Sequence, residues 1–240
     1  MQRDGLADGL RSLLTGDRVD HPVVQRDLVG RLHTLLSPPG RARLGRILRL
    51  VRSASVGQRT AVLNHHGLMT LIGTTLIPRH ATAVASALLR GLLRWANPTG
   101  NDFYRYFAMG VGNLPASPAT TMNCWESIMY AAYLVGAVSA DYIRQFYLAA
   151  LTDPNPTAAA YALLGWGPGL PTYDRAAGRI PRTGMLVFYQ TGGAHPGHVA
   201  IYMGNGKVTS LWNEPRGIHR VQEIRIRDLP GTITFRDPPW

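Results

Sequence analysis

Cysteine is almost absent from these 240 residues, with Cys124 the single example. No intramolecular disulfide can form and a cysteine-based zinc site is excluded, so packing alone must hold the fold. Charged residues are scarce at 16%, against 45% hydrophobic, a balance that excludes a disordered polyelectrolyte and gives enough apolar material for a core. Long apolar runs are missing as well. The most hydrophobic stretch, Ala61 to Ile77, is broken by Asn64, His65, His66 and Gly73, and falls short of the roughly 20 residues that span a bilayer. The first ten residues carry Asp4 and Asp8 and no apolar h-region, so a soluble chain without a cleaved signal peptide is expected.

Glycine and proline are plentiful, 26 and 17 residues, which argues against an all-helical bundle and for mixed α and β structure. Positive charge is concentrated early. Up to Gly100 there are 14 Arg against 5 Asp, a net of +9; from Asn101 onward 10 Arg and one Lys face 9 acids, a net of +2. Nucleic acid is not the expected partner, because arginine enrichment alone is weak evidence for phosphate recognition.

The early region reads as short helices: Leu28 to Leu36, Arg41 to Val51 after the break Ser37-Pro38-Pro39-Gly40, and Ala81 to Trp95. In the second, Leu44, Ile47, Leu48 and Val51 share a face while Arg41, Arg43, Arg46, Arg49 and Arg52 occupy much of the rest. Residues 41–52 thus form either a core-facing helix with a solvated basic face or a contact with an anionic membrane. Asn97-Pro98-Thr99-Gly100 breaks the pattern where the charge balance changes, dividing the chain into a basic, mainly helical region, 1–100, and a second unit, 101–240. The first is expected to serve delivery, membrane contact or regulation, so that a chain starting near Asn101 keeps its cysteine reactivity if it folds. Helices are expected over Asn123 to Gly136, Asp141 to Ala150 and Ala158 to Leu164. Strands follow at Met185 to Gln190, His198 to Met203, Val208 to Trp212, Gln222 to Ile226 and Thr232 to Phe235.

The surroundings of the lone cysteine are chemically specific. In Asn123-Cys124-Trp125-Glu126 an N-cap residue precedes Glu at the capping-box spacing, which puts Cys124 at the first helical position. There the helix dipole and unpaired N–H groups favour thiolate, so a thiol pKa well below the free value of about 8.5 is expected. A buried structural cysteine is the competing possibility. Gly197-His198-Val199-Ala200-Ile201-Tyr202-Met203 alternates as a strand ahead of the turn Gly204-Asn205-Gly206. His198 opens that strand, and a helix N-terminus packed on the sheet would let it pair with Cys124 as proton shuttle.

The order of a Cys at a helix start, a glycine-led strand (Gly184-Met185-Leu186-Val187-Phe188) and the His198 hairpin resembles the NlpC-type branch of the papain-like cysteine hydrolases, over roughly Asn101 to Trp212. The chain is particularly similar to toxin modules of polymorphic and secretion-delivered bacterial effectors, on Asn123-Cys124-Trp125-Glu126 and the Ser210-Leu211-Trp212-Asn213 strand. The resemblance implies an α+β, papain-like fold, its Cys-bearing helix packed on an antiparallel sheet and preceded by the basic helical region. It also implies Cys124 as nucleophile, His198 as base, and amide hydrolysis through a thioester with no cofactor or metal. Peptide or protein amides would be the substrates: cell-wall peptide, protein backbone or a glutamine side chain. A cognate immunity protein would be a partner if the chain is a toxin. Where cell-wall enzymes of this type have Asp-Cys-Ser-Gly, this chain departs. The resemblance implies a third catalytic residue 12 positions after the His, which is Ser210 here; a two-residue Asn205-Gly206 turn would instead set His198 opposite Asn213, a firmer orienter. The alternative function is a non-catalytic basic binding module with a degenerate papain-like fold.

Other residues carry less. His195 precedes Pro196 in a loop that can line a cleft, adjacent His65 and His66 point apart on a helix, and Glu126 reads as a cap. The stretch Gly165-Trp166-Gly167-Pro168-Gly169 lacks the Lys and Ser/Thr of a phosphate loop and reads as a connection at the cleft rim.

Overall fold

The computed structural model describes residues 22–37, 43–190, 192–212 and 219–240. Among the described residues five helices come first: α1 (Pro22–Leu36), α2 (Arg43–Ser53), α3 (Val56–Leu63), α4 (His66–Thr75) and α5 (Pro78–Leu88). Their apolar spacing explains their packing, since Leu28, Leu32 and Leu36 of α1 and Ile47, Leu48 and Val51 of α2 are all buried. On α2, Arg46 and Arg49 are exposed as the pattern predicts, whereas Arg52 turns inward to Glu223 at 2.7 Å; Arg41 lies outside the described residues. No helix among the described residues is long and apolar enough to cross a membrane.

One early expectation needs correction. The helix expected over Ala81 to Trp95 ends at Leu88. Gly91 and Leu93 take positive φ, 81° and 61°, and turn the chain out of the helix. Backbone bonds Gly91 N–H to Val221 O (2.8 Å) and Val221 N–H to Leu92 O (3.1 Å) follow, and β1 (Arg94–Trp95) pairs in parallel with β2 (Thr121–Met122). The local helical period loses to long-range partners for the same N–H and C=O groups.

After α6 (Asp102–Phe107) and β2 come α7 (Cys124–Leu134), α8 (Ala140–Leu151) and α9 (Pro156–Leu163). Five strands then form one antiparallel sheet: β3 (Leu186–Gln190), β4 (His198–Tyr202), β5 (Lys207–Trp212), β6 (Arg220–Arg225) and β7 (Thr232–Arg236), in the spatial order β6-β5-β4-β3-β7. The fold is therefore α+β. Alternation sorts the strand residues onto two faces. Phe188, Val199, Ile201, Met203 and Leu211 join the core shared with the helices, while Val187, Tyr189, Ala200, Tyr202 and Trp212 form a second cluster. The larger core runs continuously past residue 100: α5 is buried along Ala81 to Leu88 and packs on α7, whose small Ala131 and Ala132 are themselves fully buried.

Candidate functional site around Cys124 and His198

Cys124 is the first residue of α7, as its local sequence dictates. Asn123 Oδ1 accepts the Glu126 N–H at 3.0 Å, and Glu126 Oε2 accepts the Asn123 N–H at 2.6 Å, a reciprocal capping box. Backbone N–H groups of Trp125 and Val199 face the sulfur, and the Tyr161 hydroxyl of α9 lies 3.6 Å from it. All three favour thiolate. They are outweighed, because the residue is only 6% exposed and burial pushes the thiol up, with the nearby Glu126 carboxyl acting in the same direction. The lowered thiol pKa expected from the helix start is thus reversed by desolvation.

His198 is buried on the second sheet face, its ring stacked at 4.3 Å on Trp212 and 5.4 Å on Tyr189. Its Nε2 lies 2.9 Å from Ser210 Oγ, and that hydroxyl donates its proton to Val199 O at 2.7 Å. Ser210 must then accept, so Nε2 carries the hydrogen and Nδ1 the lone pair. Burial lowers the His198 pKa to about 3, leaving the imidazole neutral at pH 7. Ser210 reaches the ring because of the turn. Met203 N–H bonds Lys207 O at 2.8 Å, and Gly204, Asn205 and Gly206 all take positive φ, so three residues form the loop instead of two. Met203, not Gly204, faces Lys207, and His198 does not acquire the register that would set it opposite Asn213; Asn213 itself lies outside the described residues.

Cys124 and His198 lie on neighbouring elements without being hydrogen-bonded to each other. α7 packs on the Val199 and Ile201 face, and His198 points to the other. No family model matches the chain, and no curated protein and no solved structure matches it either.

One residue beside the thiol, Tyr161, was not singled out by sequence. Tyr161 sits in the short helix that the sequence shows, but nothing local marks it as a partner of sulfur. Its ring packs edge-on to Phe188 and lies 6.0 Å from the half-buried ring of His195. Two substitutions separate the hydrogen bond from the cover. Tyr161→Phe is expected to slow thiol alkylation at pH 8, because it removes a donor to the thiolate and keeps the ring; Tyr161→Ala is expected to speed it by opening the approach. Equal rates in all three proteins would show that Tyr161 controls neither.

Glu126 is more than a cap. Its carboxyl is fully buried, accepts Asn101 Nδ2–H at 2.6 Å and the Tyr147 hydroxyl, and is pushed up to about 8 because burial outweighs these donors. A folded pKa above the free carboxyl's 4.5 means that its stabilising contribution is whole below pH 4.5 and is lost as pH rises through about 8. His198 acts oppositely, its contribution falling as pH drops from 6.5 toward 3. Wild-type Tm is therefore expected to decline between pH 6.5 and 8.5, and Glu126→Gln to flatten that decline in a calorimetric scan. A variant with the wild-type slope would place the titration elsewhere.

The remaining flagged residues lie apart from this site. His65 caps α4 by accepting the Leu68 N–H on Nδ1 at 3.1 Å, and no group of three or more His, Cys, Asp or Glu that could hold a metal occurs among the described residues. Gly165 receives the Arg236 guanidinium on its carbonyl at 2.6 Å, and Trp166 packs against the larger core.

Proposed function

We propose that the chain is a papain-like, NlpC-type cysteine hydrolase acting on amide bonds, with Cys124 as nucleophile and His198 as base. The observation that carries this reading is that a thiol at a capped helix start packs against the strand that His198 opens, with the histidine's tautomer fixed by Ser210 on the opposite face. The bare Nδ1 is the atom that takes the Sγ proton, a step that requires substrate binding to move Tyr161 off the sulfur and to bring the imidazole out of its Trp212 stack, on the other sheet face, to the thiol. Sγ then adds to the carbonyl carbon and the π pair moves to oxygen, where the Cys124 N–H supplies a donor. The imidazolium protonates the departing nitrogen, the C–N bond breaks and a thioester remains. Water, deprotonated by Nδ1, hydrolyses it and frees the thiol. Because both groups are neutral at rest, the proton moves in the attack step and no ion pair precedes it.

Substrates of this reading are peptide or protein amides, and the role is that of a bacterial effector or toxin module with a cognate immunity protein as partner. The test compares wild type and Cys124→Ala on cell-wall sacculi and on a cell lysate, reading products by mass. A gain of one water summed over two fragments, or the exchange of ammonia for water on an intact product, confined to wild type supports the reading; identical product sets overturn it. A second reading, a non-catalytic module, is favoured by one observation, the lack of a hydrogen bond between the buried neutral thiol and the imidazole. Alkylation of Cys124 that occurs only on unfolding would support that module.

A further inference from the structure

Four of the eleven basic side chains after residue 100 line one small cavity at the far end of the β5–β6 hairpin: Arg175, Lys207, Arg225 and Arg227, together with Tyr173, Asn205, Gly206 and Ile226. The cations come from separate parts of the chain, the loop after α9, the start of β5, the end of β6 and the 3-10 turn that follows it. Lys207 and Arg225 are direct cross-strand partners. Like charges set opposite each other in a ladder cost stability, so nothing in the packing of the hairpin itself explains the pair. Neutralisation is incomplete. Lys207 meets Glu223 at 3.0 Å, but Glu223 also serves Arg52, and Arg227 reaches Asp228 only at 3.8 Å. Among the described residues, Arg175 and Arg225 have no carboxylate partner.

We propose that this cavity binds a phosphoryl group. Convergent guanidinium groups match the oxygens of a phosphate in bidentate geometry, and an anion there relieves the Lys207–Arg225 repulsion. The volume of about 200 Å³ lies below the range of drug-sized pockets, so the group that enters is a phosphomonoester or a headgroup and not a whole nucleotide. The site stands at the opposite end of β4 and β5 from His198 and is independent of the reading given above for Cys124.

The source of the phosphoryl group is settled by two arms. In the first, glycerol phosphate and pyrophosphate are titrated calorimetrically into the full chain at 0.15 M salt. In the second, flotation is measured with phosphatidylcholine vesicles containing or lacking phosphatidic acid. Binding in either arm is expected to weaken at least tenfold in Arg175→Ser/Arg225→Ser and to persist in Arg94→Ser/Arg105→Ser, which removes the same charge from exposed positions elsewhere. Thermal melting provides a readout that does not depend on calorimetric heats: pyrophosphate should raise the Tm of wild type and leave that of the first variant unmoved. Binding in neither arm, or equal loss in the two double variants, overturns the site; the second result would mean that only net charge is being read.

Discussion

His198→Ala is expected to lose turnover to the level of Cys124→Ala. A positioned base contributes about 10² to 10⁴ in rate, and groups that act as one unit fail together instead of additively. The imidazole also fills space between Tyr189 and Trp212, so alanine leaves a gap and costs stability. His198→Gln provides the control, keeping a planar side chain in the slot without a titratable nitrogen. Both variants should melt cooperatively and show no turnover. Ser210→Ala should cost less than either, since it frees the tautomer without removing the base. A folded His198→Gln protein with wild-type turnover would remove His198 from the mechanism.

The second large effect concerns the first hundred residues. A chain that starts at Asn101 is expected to lose its cooperative thermal transition altogether. The composition break near Gly100 led to the expectation that such a chain keeps its thiol chemistry, but α5 lies against α7, and segment 91–95 hydrogen-bonds to Val221, Ser117 and Thr120. Removing them strips the early helices from the core they share with α7 and the sheet, in which Ile128, Met129, Leu211 and Val221 are buried. Each large aliphatic side chain returned to water costs about 1.5–3 kcal/mol, and a whole domain has only about 5–15 kcal/mol to lose. Heat-capacity scans of both proteins decide the matter. A sharp transition in the short chain, with unchanged alkylation kinetics, would show that the shared core is dispensable.

What could be read from sequence was what is local. The capping box of Asn123 and Glu126 needs four consecutive residues, and the strand of His198 needs an alternation of seven, so both were legible, as was the helix carrying Tyr161. The direction of the thiol shift was not, because burial depends on α9 and β4 folding over the helix start and no neighbour in sequence reports it. The same holds for Tyr161 on the sulfur, and for Asn101 and Tyr147 on Glu126. The turn failed for a different reason: Asn205-Gly206 is a good two-residue hairpin signal, but Gly204 also tolerates positive φ, and a three-residue loop uses all three. The helix end after Leu88 was hidden because Leu89, Leu92 and Leu93 continue a helical period while the Leu92 carbonyl and the Leu93 N–H are claimed by Val221 of β6 and by Ser117 before β2.

The cover over Cys124 has a redox consequence. Peroxides and disulfides react with thiolate, so a sulfur held protonated under Tyr161 is oxidised slowly although its position at a helix start would otherwise make it sensitive. Since the chain has no second cysteine, the folded molecule has no thiol on its surface with which to join another copy. Disulfide-linked dimers in an oxidising buffer therefore report unfolded molecules, and their rate of appearance measures how often the native state opens.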